Sequence, residues 1–301
     1  EAEAGLEVIV QVQRGEPVRV RSREIAVEGD ARDDAEVQEA LDEFVPTEGN
    51  ILRHGRYESS KAAVTRTLAA RGYFDAEIEQ ARIEVLRAEQ AADIKLRWDS
   101  GARYVFGEGR ISGSQLKPGL AERWLNFEPG EPFEQERLAK LHQRYSELDY
   151  FGFIDIRPEP DEASKTAPIE IAVVPAKRSI YTAGVSLGTD SGVGLKLGLD
   201  RRWVNDSGHK FGSSLDLAQR RSAISTLYRI PAFEPIDGWY QFGASYRQEE
   251  SDSVDRELLE AVASRSGRLG DWTLSLGMHA VRERYRIGTT RTAETSGIST
   301  L

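Results

Sequence analysis

Two hydrophobic periods divide the chain near residue 178. Before that point, short alternating runs are separated by stretches whose apolar residues recur every three or four positions. From residue 179 the period is two almost throughout. Alternation sends successive side chains to opposite faces of a strand, whereas three-four spacing lays one apolar stripe along a helix. In the first part, segments 5–15, 93–101 and 169–177 resemble one another, and the first two are each followed by an extended stretch, 17–29 and 103–113. Helical spacing comes next. In the first repeat it runs through Val37, Leu41 and Phe44, then Tyr57, Val64 and Leu68; in the second, through Leu116, Leu120 and Trp124, then Leu138, Leu141, Tyr145 and Leu148. Each second helix leads into a Tyr-Phe pair, at Tyr73 and at Tyr150, and then a strand. The order β-α-α-β-β therefore occurs twice, which predicts two small sheets, each with its two helices on one face. Strands are expected at 17–28, 73–86 and 91–99, and at 103–112, 151–158 and 167–174. Generic α+β modules account for this much, and the open sheet edges could accept an extended chain as an added strand.

The second part reads as seven strands. In the first, from Ile180, Tyr181, Ala183, Val185 and Leu187 point one way, and Thr182, Gly184, Ser186 and Gly188 the other. Leu195 and Leu197 oppose Lys196 and Gly198; Leu215 and Leu217 oppose Ser214 and Asp216. Ile224, Thr226, Tyr228 and Ile230 form a fourth set. Phe242 and Ala244 oppose Gly243 and Ser245. The sixth strand, 258–265, shows no clear assignment of faces, and in the seventh Leu274, Leu276 and Met278 oppose Ser275, Gly277 and His279. Segments of about ten residues with this alternation suit a tilted strand crossing a bilayer. On that reading Val185, Leu187, Leu195, Leu197, Leu215, Phe242 and Leu274 meet lipid. Trp203, Tyr228, Trp239, Tyr240 and Trp272 sit near strand ends, where aromatic girdles belong. A soluble sandwich with one wet face shows the same alternation; the small residues crowding the polar face weigh against it. Seven strands are an odd count for a barrel, and the expected polar tail at 288–301 would leave it unfinished.

Composition narrows the classes. The 301 residues carry 40 basic and 50 acidic side chains, a net charge of −10, which argues against a nucleic-acid carrier. Mean hydropathy is −0.50, and no apolar run is long enough for a transmembrane helix. There is no cysteine, hence no thiol nucleophile or Cys-based zinc site. Gly107-Glu-Gly109 and Gly192-Val-Gly194 fall within strand alternation, without the following helix that would cradle a phosphate. His54, His142, His209 and His279 are scattered without metal-ligand spacing. The acidic pairs Asp33/Asp34 and Glu249/Glu250 read as a solvated helix start and a loop. Nothing assembles a nucleophile, base and oxyanion site, so neither an enzyme nor a cofactor is expected.

Three strings carry a resemblance: GRYESSKAAVTRTLAARGYFDAEI from Gly55, SGARYVFGEGRISGS from Ser100, and GVSLGTDSGVGLKLGLDRRWVNDSGHKF from Gly184. With the repeated β-α-α-β-β order they resemble the outer-membrane assembly superfamily of POTRA domains followed by an antiparallel transmembrane β-barrel, and within it the TamA family. The resemblance implies that 1–15 ends a preceding POTRA domain, that 16–100 and 101–177 are POTRA domains, and that 178–301 begins a barrel. It further implies a Gram-negative outer membrane with periplasmic POTRA domains and a TamB-like partner. Unfolded outer-membrane clients, autotransporters among them, would be inserted without a nucleotide. Turns 205–208, 231–238 and 267–271 would then be periplasmic. The family's seam between first and last strands would involve Ile180, Thr182, Gly184, Ser186 and Gly188, and glycine weakens a strand. A BamA-like general factor and a two-partner secretion pore are the alternatives; a segment at 6–15 that ends an earlier domain argues against the pore.

Overall fold

The computed structural model describes residues 16–189, 192–251, 254–270, 272–287 and 291–300. The domain end expected at 1–15 lies outside the described residues. The chain divides into two compact units. The first runs up to Glu108 and includes Phe127–Arg137 and Pro158–Pro168; the second comprises Gly109–Asn126, Leu138–Arg157 and the chain from Ile169 onward.

In the first unit, β1 (Arg19–Glu28), α1 (Ala35–Asp42), α2 (His54–Ala70), β2 (Glu77–Leu86) and β3 (Ala91–Asp99) follow the expected order. The sheet runs β1-β3-β2, with β1 parallel and β2 antiparallel to β3. Ile94, Leu96 and Trp98 alternate inward from β3 and share one core with Val37 of α1 and with Tyr57, Val64 and Leu68 of α2. Both helices therefore cover one face of the sheet, as their stripes predict. The indole N–H of Trp98 donates to Thr65 Oγ1 at 3.1 Å, so this buried ring leaves no orphan donor. Asp34 caps α1 by accepting from the Glu36 N–H, but its carboxylate is not solvated as expected. Its side chain is 4% exposed and takes Arg71 Nε at 3.1 Å. The same unit holds Asp75, which accepts from Lys165 Nζ at 2.7 Å and from the Tyr104 hydroxyl at 2.8 Å.

A second three-stranded sheet, ordered β4-β6-β5, is formed by β4 (Val105–Ser112), β5 (Phe151–Pro158) and β6 (Thr166–Pro175), with α3 (Gln135–Glu147) between β4 and β5. The α-helix expected through Leu116, Leu120 and Trp124 does not form. Only one 3-10 turn, Glu122–Trp124, appears there. Pro118 and Gly119 explain the difference: proline removes a backbone donor, and Gly119 takes φ +81°, outside helical geometry. The three apolar residues are buried nonetheless.

The second unit carries an eight-stranded antiparallel meander: β7 (Ser179–Gly188), β8 (Gly192–Arg201), β9 (Lys210–Ala218), β10 (Arg221–Ala232), β11 (Gly238–Glu250), β12 (Val254–Leu269), β13 (Trp272–Ile287) and β14 (Arg291–Thr300). Two expectations are corrected here. The count is eight rather than seven, because β14 lies where a polar tail was expected. Its only large apolar residue is Ile298, and cross-strand charge holds it: Glu294 pairs with Arg282 at 2.6 Å and with Arg284 at 3.4 Å. Glu249 and Glu250 end β11 rather than lying in a loop, and Arg221 approaches Glu249 at 3.8 Å.

Candidate membrane-facing sheet

Antiparallel pairing fixes which side chains share a face, since directly paired residues point the same way. Val185 pairs with Leu195, and Leu195 with Leu217; Leu197 pairs with Leu215, and Leu215 with Ile224. Tyr228 continues to Phe242, Phe242 to Ala263 and Ala263 to Met278; Leu274 shares the Met278 side of β13. The seven residues expected to face lipid thus lie on one face, in an apolar band that runs from β7 to β13; toward the far end of β12 to β14 the same face carries Glu257, Arg282, Arg284 and Glu294. The register also assigns the sixth strand: Leu259, Ala261 and Ala263 share this face, and Glu260, Val262 and Ser264 the opposite one. Val185 and Leu187 are each 85% exposed, Leu276 73% and Trp272 78%. A contiguous exposed apolar surface of this kind marks an interaction with something apolar.

The opposite face is polar and built from small groups. Ser214 and Ser225 hydroxyls meet at 2.7 Å, Ser245 donates to Glu260 at 2.9 Å, and the Gln241 amide donates to Ser266 at 2.9 Å. Trp239 belongs to this face, between Pro231 and Ser266 in the pairing. It is therefore displaced from the expected girdle. Tyr181, Tyr228, Tyr240 and Trp272 lie on the apolar face toward one end of the strands, and Trp203 sits in a turn.

Among the described residues strand β7 forms one edge of the sheet, paired with β8. Its polar-face residues Thr182, Gly184 and Ser186 oppose Gly198, Lys196 and Gly194. A Cβ at Gly198 would come within 2.2 Å of Thr182 Oγ1, and one at Gly194 within 2.7 Å of Ser186 Oγ; a Cβ at Gly184 meets nothing within 4 Å. The β7–β8 ladder is therefore thin in side-chain contact on this face, and cross-strand side-chain pairs supply much of a sheet's stability.

The strand ends near Trp272 turn back through 202–209 and 233–237, and residues from before β7 hold both turns within the second unit. The buried Tyr150 hydroxyl donates to the Gly208 carbonyl at 2.5 Å. Gly208 adopts φ +73°, and a Cβ there would lie 2.9 Å from that hydroxyl, so glycine satisfies both backbone and space. Burial pushes the Tyr150 phenol far above its ordinary pKa, keeping the donor proton in place. Arg202 Nε donates to Asp149 at 2.8 Å, and the Lys117 N–H to the Asp206 carbonyl at 2.9 Å. At the second turn, Phe233 packs on Trp124 with centroids 5.3 Å apart and lies under the Arg123 guanidinium, while Arg144 pairs with Asp237 at 2.5 Å. From the sequence, Tyr150 is the start of a Tyr-Phe pair ahead of a strand and Trp124 one position of a helical stripe. Their partners lie 58 and more than 100 positions away, beyond any local spacing signal.

The histidines do not converge. His209 meets the Tyr228 hydroxyl at 2.8 Å, and His279 approaches Glu260 at 3.5 Å. Among the described residues no group of three His, Cys, Asp or Glu side chains could hold a metal ion, and no helix is long and apolar enough to cross a membrane.

The POTRA family, described as a surface antigen variable number repeat, matches residues 104–176. Among solved structures, BamA from Haemophilus ducreyi lacking POTRA domains 1-3 superposes with a TM-score of 0.74 at 12% identity, covering 94% of this chain. CdiB from Acinetobacter baumannii gives 0.49 at 11% identity, covering 96% of this chain and 59% of its own. This chain spans 58% of the length of that BamA chain. Its fold is POTRA-type α+β sheets followed by an antiparallel β-sheet of barrel type, as in BamA.

Proposed function

We propose that this chain belongs to an outer-membrane factor of the Omp85 superfamily that assembles or inserts other β-barrel proteins. The observation that carries the reading is the apolar band on one face running from Tyr181 on β7 to Met278 on β13, directly after a POTRA-type sheet. In this reading residues 16–100 and 101–177 are periplasmic POTRA domains. Residues 178–301 are the first part of a barrel in a Gram-negative outer membrane. Val185, Leu187, Leu195, Leu197, Leu215, Phe242 and Leu274 meet lipid, and turns 202–209 and 233–237 face the periplasm. The strings quoted above favour a TamA-like member, with a TamB-like partner bound through the POTRA domains or barrel and autotransporter-type clients. The thin contact between β7 and β8 supports a working seam at Ile180, Thr182, Gly184, Ser186 and Gly188, where a client strand could add to the open edge.

Two measurements test this on the full-length protein in liposomes. Spin labels at Val185→Cys and Leu274→Cys should be relaxed by oxygen from the bilayer, and those at Thr182→Cys and Ser275→Cys by a water-soluble nickel chelate; the reverse pattern overturns the membrane assignment. A disulfide joining Gly184→Cys to the facing residue of the last barrel strand should abolish client insertion, with recovery on reduction. Full activity with that seam locked removes the β7 gate and leaves the POTRA sheet edges as the place of client handling.

A further inference from the structure

Lys210 and Arg229 are a direct cross-strand pair on β9 and β10, and both point to the polar face. Like charges placed directly opposite destabilise a ladder, and Lys210 is only 6% exposed. A cation removed from water needs a counter-charge or hydrogen bonds. Lys210 donates to the Leu148 carbonyl, and Arg229 has no hydrogen-bond acceptor among the described residues. Arg229 lies over the Trp239 indole, 5.6 Å from its centroid, and Lys210 lies between the Tyr150 ring at 4.5 Å and Trp239 at 5.6 Å. The carboxylates whose charge reaches Lys210 are Asp149 and Asp200, and Asp149 is already held by Arg202.

These two cations and Trp239 line a cavity of about 330 Å³ inside the second unit, completed by Trp124, Arg144 and Arg268. Four cations line it against two carboxylates, Asp237, paired with Arg144 at 2.5 Å, and Glu147, which accepts from the Gln143 amide at 2.8 Å and keeps its charge. The cavity is thus a basic pocket with repulsion built into its floor, in a chain of net charge −10. An arrangement that breaks a local pairing rule and is only partly compensated from within, here by the Leu148 carbonyl, Asp200 and aromatic faces, is where a ligand contact is expected.

We propose that this cavity binds the carboxylates of an acidic polypeptide segment passing over the polar face at the end of the sheet held by Tyr150 and Arg144. The position selects peptide over lipid. The pocket is lined from the face opposite Val185, Leu195 and Phe242, so a headgroup seated in it would leave its acyl chains on polar surface. A carboxylate between Lys210 and Arg229 removes their repulsion and gives Arg229 the acceptor it lacks, with the fork geometry that guanidinium favours. The proposal rests on the reading of this face as a barrel lumen.

The test uses the full-length protein in non-ionic detergent and a fluorescent hexapeptide alternating glycine and glutamate, amidated at its C-terminus. Anisotropy should report saturable binding that weakens steeply with salt, and the glutamine counterpart should not bind. Arg229→Gln should weaken binding about tenfold. Arg229→Lys, which keeps the charge, should stay within about threefold of the parent. Heat-modifiable gel mobility checks that each variant is folded. Parent-like affinity in a folded Arg229→Gln protein, or equal binding of the glutamine peptide, overturns the site. Displacement of the peptide by phosphatidylglycerol in mixed micelles or by inorganic phosphate, in preference to unlabelled peptide, also overturns it and reassigns the pocket to a phosphate headgroup or free anion. Peptide binding without client insertion would count against the insertion reading alone.

Discussion

The sheets of the POTRA-type region and the long meander are built from the same alternation, yet their apolar residues have opposite fates. Trp98, Leu96 and Ile94 of β3, and Ile169 and Ile171 of β6, are sealed from water; Leu274, Leu276 and Met278 of β13 are half to three-quarters exposed. The difference lies in what faces each strand. β3 and β1 have α1 and α2 to cover them, and helices with an apolar stripe complete the core. Among the described residues no helix covers the apolar face of the meander, whose large side chains stay exposed. Period two therefore reports that one face is apolar and leaves open what covers it; flanking helical stripes decide that question.

The largest expected effect strikes the covered region. Leu68 of α2 is fully buried, and Leu68→Ala should destabilise the first unit by about 2–5 kcal/mol through lost transfer energy and a cavity. Hydrogen exchange of the β3 amides in the full-length protein reads this directly, and unchanged protection would mean the core is looser than its packing implies. The complementary substitution sharpens the contrast. Leu276→Arg adds a charge to the exposed face, where a water-facing site would tolerate it within about 0.5 kcal/mol. If that face meets the middle of a bilayer, the change should cost about 2–4 kcal/mol and reduce the fraction folded into liposomes, scored by heat-modifiable mobility. Undiminished insertion would break the comparison.

A smaller effect is expected where residues preceding β7 grip the meander. Tyr150→Phe removes the donor to the Gly208 carbonyl, a loss of about 1 kcal/mol. Amides in 205–209 should exchange about fivefold faster, with β3 protection unchanged. Slower or equal exchange would show that Asp149 and Lys117 hold this turn without it.

How much of this was legible follows from the range of the forces. The two β-α-α-β-β orders and most strand bounds were legible because periodicity is local: β3 was expected at 91–99 and lies there. The helix over Leu116–Trp124 was misread because its spacing was sound while Pro118 and Gly119 vetoed the backbone. β14 was missed because charge pairs with β13 hold it rather than alternation of large side chains. Asp34 looked like an exposed cap, since nothing local announces that Arg71, 37 residues on, will cover it. The apolar face was legible almost in full. The basic cavity was not, because Lys210, Arg229 and Trp239 become neighbours only through strand register.

The smallest expected effect is a change of slope with pH, and it belongs to the water-facing surface of the first unit. Asp93 on β3 accepts from Arg21 and, at 2.7 Å, from Ser22 Oγ on β1. Those bonds, Arg21's first, hold its carboxyl down from 3.8 to about 2. The folded state thus binds this proton less readily than the unfolded chain does. Its contribution is present above the unfolded value and is lost as pH falls from about 4 through the folded value near 2. Asp93→Asn should leave stability at neutral pH almost unchanged, because Arg21 is half exposed and solvent screens the pair. It should flatten the acid limb of urea midpoints measured on β3 protection. A variant as acid-sensitive as the parent would move that slope to Asp75, whose carboxyl is lowered by its bond from Lys165. The polar side of a covered sheet would then matter less to acid response than the loop contacts beside it.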